Sequence, residues 1–234
     1  MKQVWICGDS ILRGVVWSPE QKRYITTSNI RYPAMEEQFS ISIRNRSRFG
    51  CTLEKGIGSL LAALDRGEKC DVAILELGGN DSDFNWAEIS QTPKEDHFPK
   101  TLPALYEQYY REAVAKLRQR GIAPVLCNVI PVCSHLYLNW VSQNGLSKDN
   151  ILHWLGDEEA IFRYQAQYSS VVDRVAKEEN CPLIDLRSAF LQVPKMEDYF
   201  CPDGIHPNEA GQALIDRCLL AVPRSLFGEE TQIA

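Results

Sequence analysis

The chain has 234 residues, 44% of them apolar and 24% charged, with a net charge of −6 and a pI near 5.3. That length supports an α/β domain with a sizeable core, and the acidic balance excludes general nucleic-acid binding, which needs clustered positive charge. No run reaches the roughly 18 apolar residues of a membrane span, and the apolar stretch between Lys2 and Gly8 is too short for a signal-peptide core. The expected location is therefore the cytoplasm. Eight cysteines are present without a Cys-x-x-Cys pair, and Cys7, Cys127 and Cys218 sit inside apolar runs. They read as buried thiols, not as disulfides or zinc ligands.

Apolar runs alternate with longer amphipathic segments along the chain. Val4–Cys7 predicts a buried strand, followed at Ser10 by a helix extending to Trp17. Further strands are expected at Phe39–Ile43, Val72–Leu77, Pro124–Ile130 and Leu183–Leu186, and helices at Leu53–Leu64, Leu102–Arg120, Glu158–Glu179 and Asn208–Leu220. In Leu102–Arg120 the apolar positions Leu102, Leu105, Tyr106, Tyr109, Val114 and Leu117 recur at helical spacing, and Gly121 stops the helix. Strands alternating with helices predict a parallel sheet covered on both faces. No repeat or linker divides the chain, so one domain is expected over residues 1–234. Ser82–Lys100 and Cys133–Trp154 do not fit the alternation and read as long irregular loops, of the kind that serve as lids or binding loops.

Four separated sites fall at strand ends, where ligands bind on parallel sheets. Gly8-Asp9-Ser10 follows the first strand, Gly50 lies in Asn45–Thr52, Gly78-Gly79-Asn80-Asp81 follows Leu77, and Asp203-Gly204-Ile205-His206-Pro207 lies near the C-terminus. A serine hydroxyl is hardly ionised at neutral pH and needs a base to act as a nucleophile. His206 is the candidate base for Ser10, and Asp203 is placed to fix its tautomer, in the order Ser…Asp…His that serine hydrolases use. The Asn80 amide and the N–H groups of Gly50 and Ser10 are candidate oxyanion donors. Each motif alone has an ordinary structural explanation, as a cap or a turn; their order and common placement point to acyl transfer. The basic run Arg44–Arg48 reads as a solvated loop flanking Gly50, with an anion-binding role as the alternative and Arg48 a candidate for the rim of the site. Trp86, Trp140 and Trp154, in the two irregular segments, are candidate substrate contacts. His97, His135 and His153 show no metal-ligand spacing, and no metal site is expected.

The motifs resemble those of the SGNH hydrolases, also called GDSL esterases/lipases. Gly8-Asp9-Ser10-Ile11 is similar to the first block with Ile in place of Leu, and Asn45–Thr52 to the second, Asn-x-x-x-x-Gly-x-Thr. Leu77–Asp81 is similar to the third, and Asp203–Asn208 to the fifth. The resemblance implies a flavodoxin-like three-layer α/β/α sandwich around a central parallel sheet. It also implies ester hydrolysis through an acyl-serine without metal or cofactor, with residues 82–100 and 133–154 as insertions. The expected partner is a small-molecule ester, with short O-acyl groups such as O-acetyl on a carbohydrate preferred. An acyltransferase, a lysophospholipase or thioesterase on the same site, and a catalytically idle carbohydrate- or lipid-binding module are the alternatives. The sequence carries no signature of an oligomeric state.

Overall fold

A computed structural model describes residues 1–27, 31–143 and 145–227. In chain order its elements are β1 (Lys2–Gly8), α1 (Ser10–Arg13), β2 (Val15–Ser18), β3 (Arg23–Thr26), α2 (Arg31–Phe39), β4 (Ile41–Asn45), α3 (Leu53–Asp65) and β5 (Val72–Glu76). There follow α4 (Trp86–Gln91), α5 (Pro103–Gln119), β6 (Ala123–Cys127), α6 (Ser134–Val141), α7 (Lys148–Leu155) and α8 (Ala160–Glu178). The last are β7 (Leu183–Ile184), α9 (Leu186–Leu191) and α10 (Glu209–Leu220). Among the described residues, five strands form a parallel sheet in the order β4-β1-β5-β6-β7. Without the β2–β3 hairpin this is the 2-1-3-4-5 order of flavodoxin-like folds, with its switch point between β1 and β5.

The alternation along β1 shows how the layers arise. Val4 and Ile6 pack with Met35 and Phe39 of α2, Phe190 of α9 and Ile215 of α10, whereas Trp5 and Cys7 face Leu60 of α3, Tyr110 of α5 and Val172 of α8. A strand buried on both faces cannot alternate apolar with polar residues, which is why Val72–Glu76 is buried throughout. Each apolar side chain so buried contributes about 1.5–3 kcal/mol. The basic run is less solvated than its composition predicts: the Arg46 guanidinium lies 3.8 Å from the Trp5 ring centroid, and Arg44 and Arg46 both pair with Glu68.

Several boundaries differ from the sequence-based expectations. The helix beginning at Ser10 ends at Arg13, because Gly14 takes the left-handed conformation (φ 79°) as its C-cap. Val15–Ser18 then pairs antiparallel with Arg23–Thr26, as suits its β-branched and aromatic residues. Phe39 ends α2 instead of opening β4, with Ser40 at φ 52° between them. Asn128–Ile130 and Leu186 lie outside their strands; Asp185 caps α9 through the Ser188 N–H. Leu102 and Leu105 are exposed, and α5 instead buries Tyr106, Tyr110, Ala113, Val114 and Leu117.

The largest correction concerns the two irregular segments. Residues 82–100 contain α4, and 133–154 contain α6 and most of α7, capped by Ser147. Their apolar residues are spent on each other: Trp86 and Ile89 of α4, Tyr137 and Leu138 of α6, and Ile151 and Leu155 of α7 form a satellite core with Ile161 of α8.

Candidate active site

The nucleophile segment is shaped by the exit from β1. Asp9 caps α1 by accepting the Ile11 N–H at 2.9 Å, which puts Ser10 at the first helical position, where the backbone N–H has no intrahelical acceptor. Ser10 Oγ lies 2.9 Å from His206 Nε2, and His206 Nδ1 lies 2.6 Å from Asp203 Oδ2. Asp203 Oδ1 accepts the backbone N–H groups of Ile205 (3.1 Å) and His206 (3.0 Å). Burial alone would raise the Asp203 carboxyl; the His206 hydrogen bond and charge, the Tyr24 hydroxyl and the His206 N–H outweigh it and hold it below its ordinary value. An ionised Asp203 can only accept, so His206 Nδ1 carries the proton and Nε2 is left to accept from the Ser10 hydroxyl.

The proposed oxyanion donors converge on the same place. Gly50 occupies the third position of a turn closed by Cys51 N–H to Arg48 C=O (3.3 Å), and its φ of 68° is the value that position requires. Its own N–H takes no part in that bond. Asn80 follows β5 and donates one amide hydrogen to Asp9 Oδ2 at 3.0 Å, leaving the second free of that contact. Gly78 cannot be replaced cheaply: at φ 144°, a Cβ there would lie 2.3 Å from Tyr106 Oη and 2.7 Å from Val129 Cγ2. Asp81 faces away from the site and fixes its frame, accepting the Leu53 N–H at the start of α3 (2.9 Å) and the Thr101 hydroxyl (2.8 Å).

Ser10, Gly50, Asn80 and His206 line one cavity of about 180 Å³, with Asp203 directly behind His206. Of the candidate substrate contacts, Trp86 belongs to its wall, its indole N–H donating to Asp83 (2.9 Å) and Tyr137 (3.2 Å). Arg48 is exposed and outside the lining; its contribution is a backbone N–H to Gly8 C=O (3.1 Å). Trp154 stands one layer back, edge-on to Phe84 at 5.1 Å, and Trp140 packs against Trp17 and Tyr24. Neither lines the cavity. Sequence reasoning missed Tyr24, whose hydroxyl donates to Asp203 Oδ2 and whose ring lies 4.8 Å from that of His206. It also missed Phe49, whose ring stacks on the imidazole at 5.6 Å. The β-branched and aromatic residues of Val15–Ser18 and Arg23–Thr26 around Pro19 were the available signal for the hairpin, but nothing local marks Tyr24 as reaching Asp203. Among the described residues no group of three or more His, Cys, Asp or Glu side chains is placed to hold a metal ion, and no helix is long and apolar enough to cross a membrane.

The family model for the GDSL-like lipase/acylhydrolase family matches residues 6–214. Among solved structures, the chain is similar to a lipase/acylhydrolase from Enterococcus faecalis (16% identity, TM-score 0.64, 94% of each chain covered). It is also similar to an acetyl xylan esterase from Geobacillus stearothermophilus (18%, 0.62, covering 94% of this chain and 93% of that one). A third similar structure is an alpha/beta hydrolase enzyme from the Lake Arreo metagenome (19%, 0.63, 97% of each). Among curated proteins none matches the chain. With the family model spanning most of its length, the chain belongs to the GDSL-like lipase/acylhydrolase family and is an ester hydrolase.

The electrostatics of Asp9 give a stability prediction. Burial pushes its carboxyl up to about 6, against the opposing pull of the Ile11 N–H, the His206 ring and the Asn80 amide. An unfolded Asp titrates near 3.9, so between about 4 and 6 the folded state binds the extra proton and stability falls as pH rises. Asp203, held below its ordinary value, acts with the opposite sign and only at lower pH. Melting temperatures of Asp9→Asn measured from pH 4.5 to 7.5 should therefore show a flatter profile than wild type. An unchanged profile would mean that Asp9 does not titrate in this window.

Proposed function

We propose that this GDSL-like acylhydrolase cleaves carboxylic esters through an acyl-serine intermediate on Ser10. The observation that carries the reading is the continuous hydrogen-bonded chain from Ser10 Oγ through the His206 ring to Asp203 Oδ2, opening onto a cavity. Ser10 Oγ attacks the ester carbonyl while its proton passes to His206 Nε2. The tetrahedral oxyanion is held by the N–H groups of Ser10 and Gly50 and by the Asn80 amide. As the C–O bond to the alcohol breaks, His206 returns the proton to the departing oxygen, leaving the acyl group on Ser10. Water, deprotonated by His206, then attacks the acyl-serine; the acid leaves and the proton returns to Ser10 Oγ.

Asp203 keeps the imidazole in the tautomer that can accept from Ser10 and stabilises the imidazolium formed at each step. Its backbone bonds to Ile205 and His206 tie the carboxylate to the same loop that carries the base, so the two move as one unit. Asp9, which accepts from Asn80, orients the amide whose second hydrogen faces the reaction. The sequence favours a carbohydrate O-acetyl ester, and similar structures are named as acetyl xylan and acetyl-xylooligosaccharide esterases; the volume and apolar walls of the cavity beside Ser10 favour a larger acyl group instead.

Ser10→Ala should lose both hydrolysis of p-nitrophenyl esters and covalent labelling by a fluorophosphonate, with activity falling by at least about 10³-fold. Asn80→Ala should lose about 10²–10³ in kcat while labelling slows without disappearing. Retention of more than about a tenth of wild-type activity by Ser10→Ala would remove Ser10 from the mechanism. A normal kcat with raised KM in Asn80→Ala would make Asn80 a substrate-binding group.

A further inference from the structure

Beyond the reaction centre, the cavity beside Ser10 is walled by Phe84, Trp86, Val132, Ile161 and Ile205, four of which are buried. Of the polar side chains that also line it, Ser82 donates to the Gly79 carbonyl, Tyr164 packs on Phe84 and Trp154, and Tyr137, Asp83 and Gln165 are already engaged. Asp83 accepts from Trp86, Tyr137 and Lys100, and Gln165 donates to the Ile130 carbonyl and accepts from Arg187. A sugar hydroxyl pushed between these walls would give up its hydrogen bonds to water for little return. At the rim, by contrast, Phe49 is 59% exposed and Gly50 is exposed. A departing alcohol can leave through that rim while the acyl group stays among the buried walls.

The whole cavity, reaction centre and rim included, has a volume of about 180 Å³, slightly above the ~150 Å³ hydrocarbon cavity that admits benzene. An acetyl group would leave most of it empty. Resting on the serine-esterase reading above, we propose that this cavity seats the acyl chain and selects an unbranched apolar acyl group of about six to eight carbons, in preference to acetyl.

The test is a series of p-nitrophenyl esters from acetate to laurate, with the leaving group held constant. kcat/KM should rise about fourfold per methylene, peak near six to eight carbons and then decline, and Ile161→Ala should move the peak to longer chains. Highest activity on acetate, or an acyl series that stays flat while acetate esters of longer alcohols improve, would overturn the assignment. Fluorophosphonate labelling separates the two levels. Labelling of Ser10 with acetyl selectivity defeats only the acyl assignment. No labelling and no activity on any ester defeats the reaction, and the acyl assignment with it.

A separate observation concerns Tyr24. Its hydroxyl donates to Asp203 Oδ2, the oxygen that also accepts from His206 Nδ1. The Trp17 N–H to Cys201 Sγ contact (3.2 Å) ties the same hairpin to the loop carrying Asp203. With the two backbone N–H groups on Oδ1, the carboxylate is surrounded by four donors, and the hairpin supplies the one that competes with the imidazole for charge. We infer that Tyr24 is a positioning residue: it orients the carboxylate and draws charge from Oδ2, limiting how strongly Asp203 stabilises the imidazolium.

Tyr24→Phe keeps the ring packed against His206, Trp17 and Trp140 and removes only the hydroxyl. With that donor gone, more charge is left on Oδ2 to stabilise the imidazolium. The acid limb of the kcat/KM profile should then move to higher pH by roughly 0.3–1 unit, while the lost orientation of the carboxylate outweighs the added charge and lowers kcat about tenfold at its plateau. The proton NMR resonance of His206 Nδ1–H should shift as well. An acid limb and an Nδ1–H resonance both unchanged, with activity lowered equally at every pH, would reduce Tyr24 to a packing residue.

Discussion

The hydrogen bond between Ser10 and His206 closes a separation of 196 residues, and the rest of the structure is arranged around the cost of making it. Bringing a strand end and a late loop together is entropically unfavourable, and a 2.9 Å contact tolerates little slack. The parallel sheet answers the first problem by stacking β1, β5 and β6 so that their exits face one side. Local anchors answer the second. Asp9 fixes the start of α1, Cys201 N–H to His206 C=O (2.7 Å) closes the turn under the base, and the Cys133 N–H to Gly204 C=O bond (2.8 Å) ties that turn to the start of α6.

The glycines and carboxylates of the site divide between chemistry and framework in a way that their spacing does not reveal. Gly78 makes room for Tyr106, which with Tyr110 donates to the Leu77 carbonyl at the end of β5. Gly204 has φ 71°, and a Cβ there would come within 2.7 Å of the Cys133 carbonyl. Asp81, beside Asn80 in the chain, is wholly buried and braces α3 and Thr101. Asp9, beside Ser10, is equally buried but touches the site through Asn80. Neighbours in sequence thus serve different masters because successive residues leave a strand end in different directions.

The sheet was legible because its central strands are short, largely buried apolar runs, and the covering helices because their apolar periodicity is long. Ser10 and Asn80 were legible as polar residues at strand exits; Asp203 and His206 lie instead in the loop before α10, not at a strand end as expected, and were legible from the Ser…Asp…His order alone. The segments at 82–100 and 133–154 were not, because α4, α6 and α7 have six, eight and eight residues, too few for a period to stand out from their polar neighbours. Their tryptophans read as candidate substrate contacts; Trp86 lines the cavity, whereas Trp154 and Trp140 pack on Phe84, Tyr164 and the Trp17–Tyr24 pair. Tyr24 was invisible for another reason: its partner is 179 residues away, and no local pattern encodes a contact of that range.

The central claim is that the acyl group resides on Ser10 during turnover. Acid-quenching the wild-type protein during hydrolysis of a p-nitrophenyl ester, followed by proteolysis and mass spectrometry, tests it without altering the site. The peptide containing Ser10 should gain the mass of the acyl group less one hydrogen, and lose it once substrate is exhausted. Turnover under the same quench with no adduct on that peptide, or with the acyl mass on another residue, would contradict it.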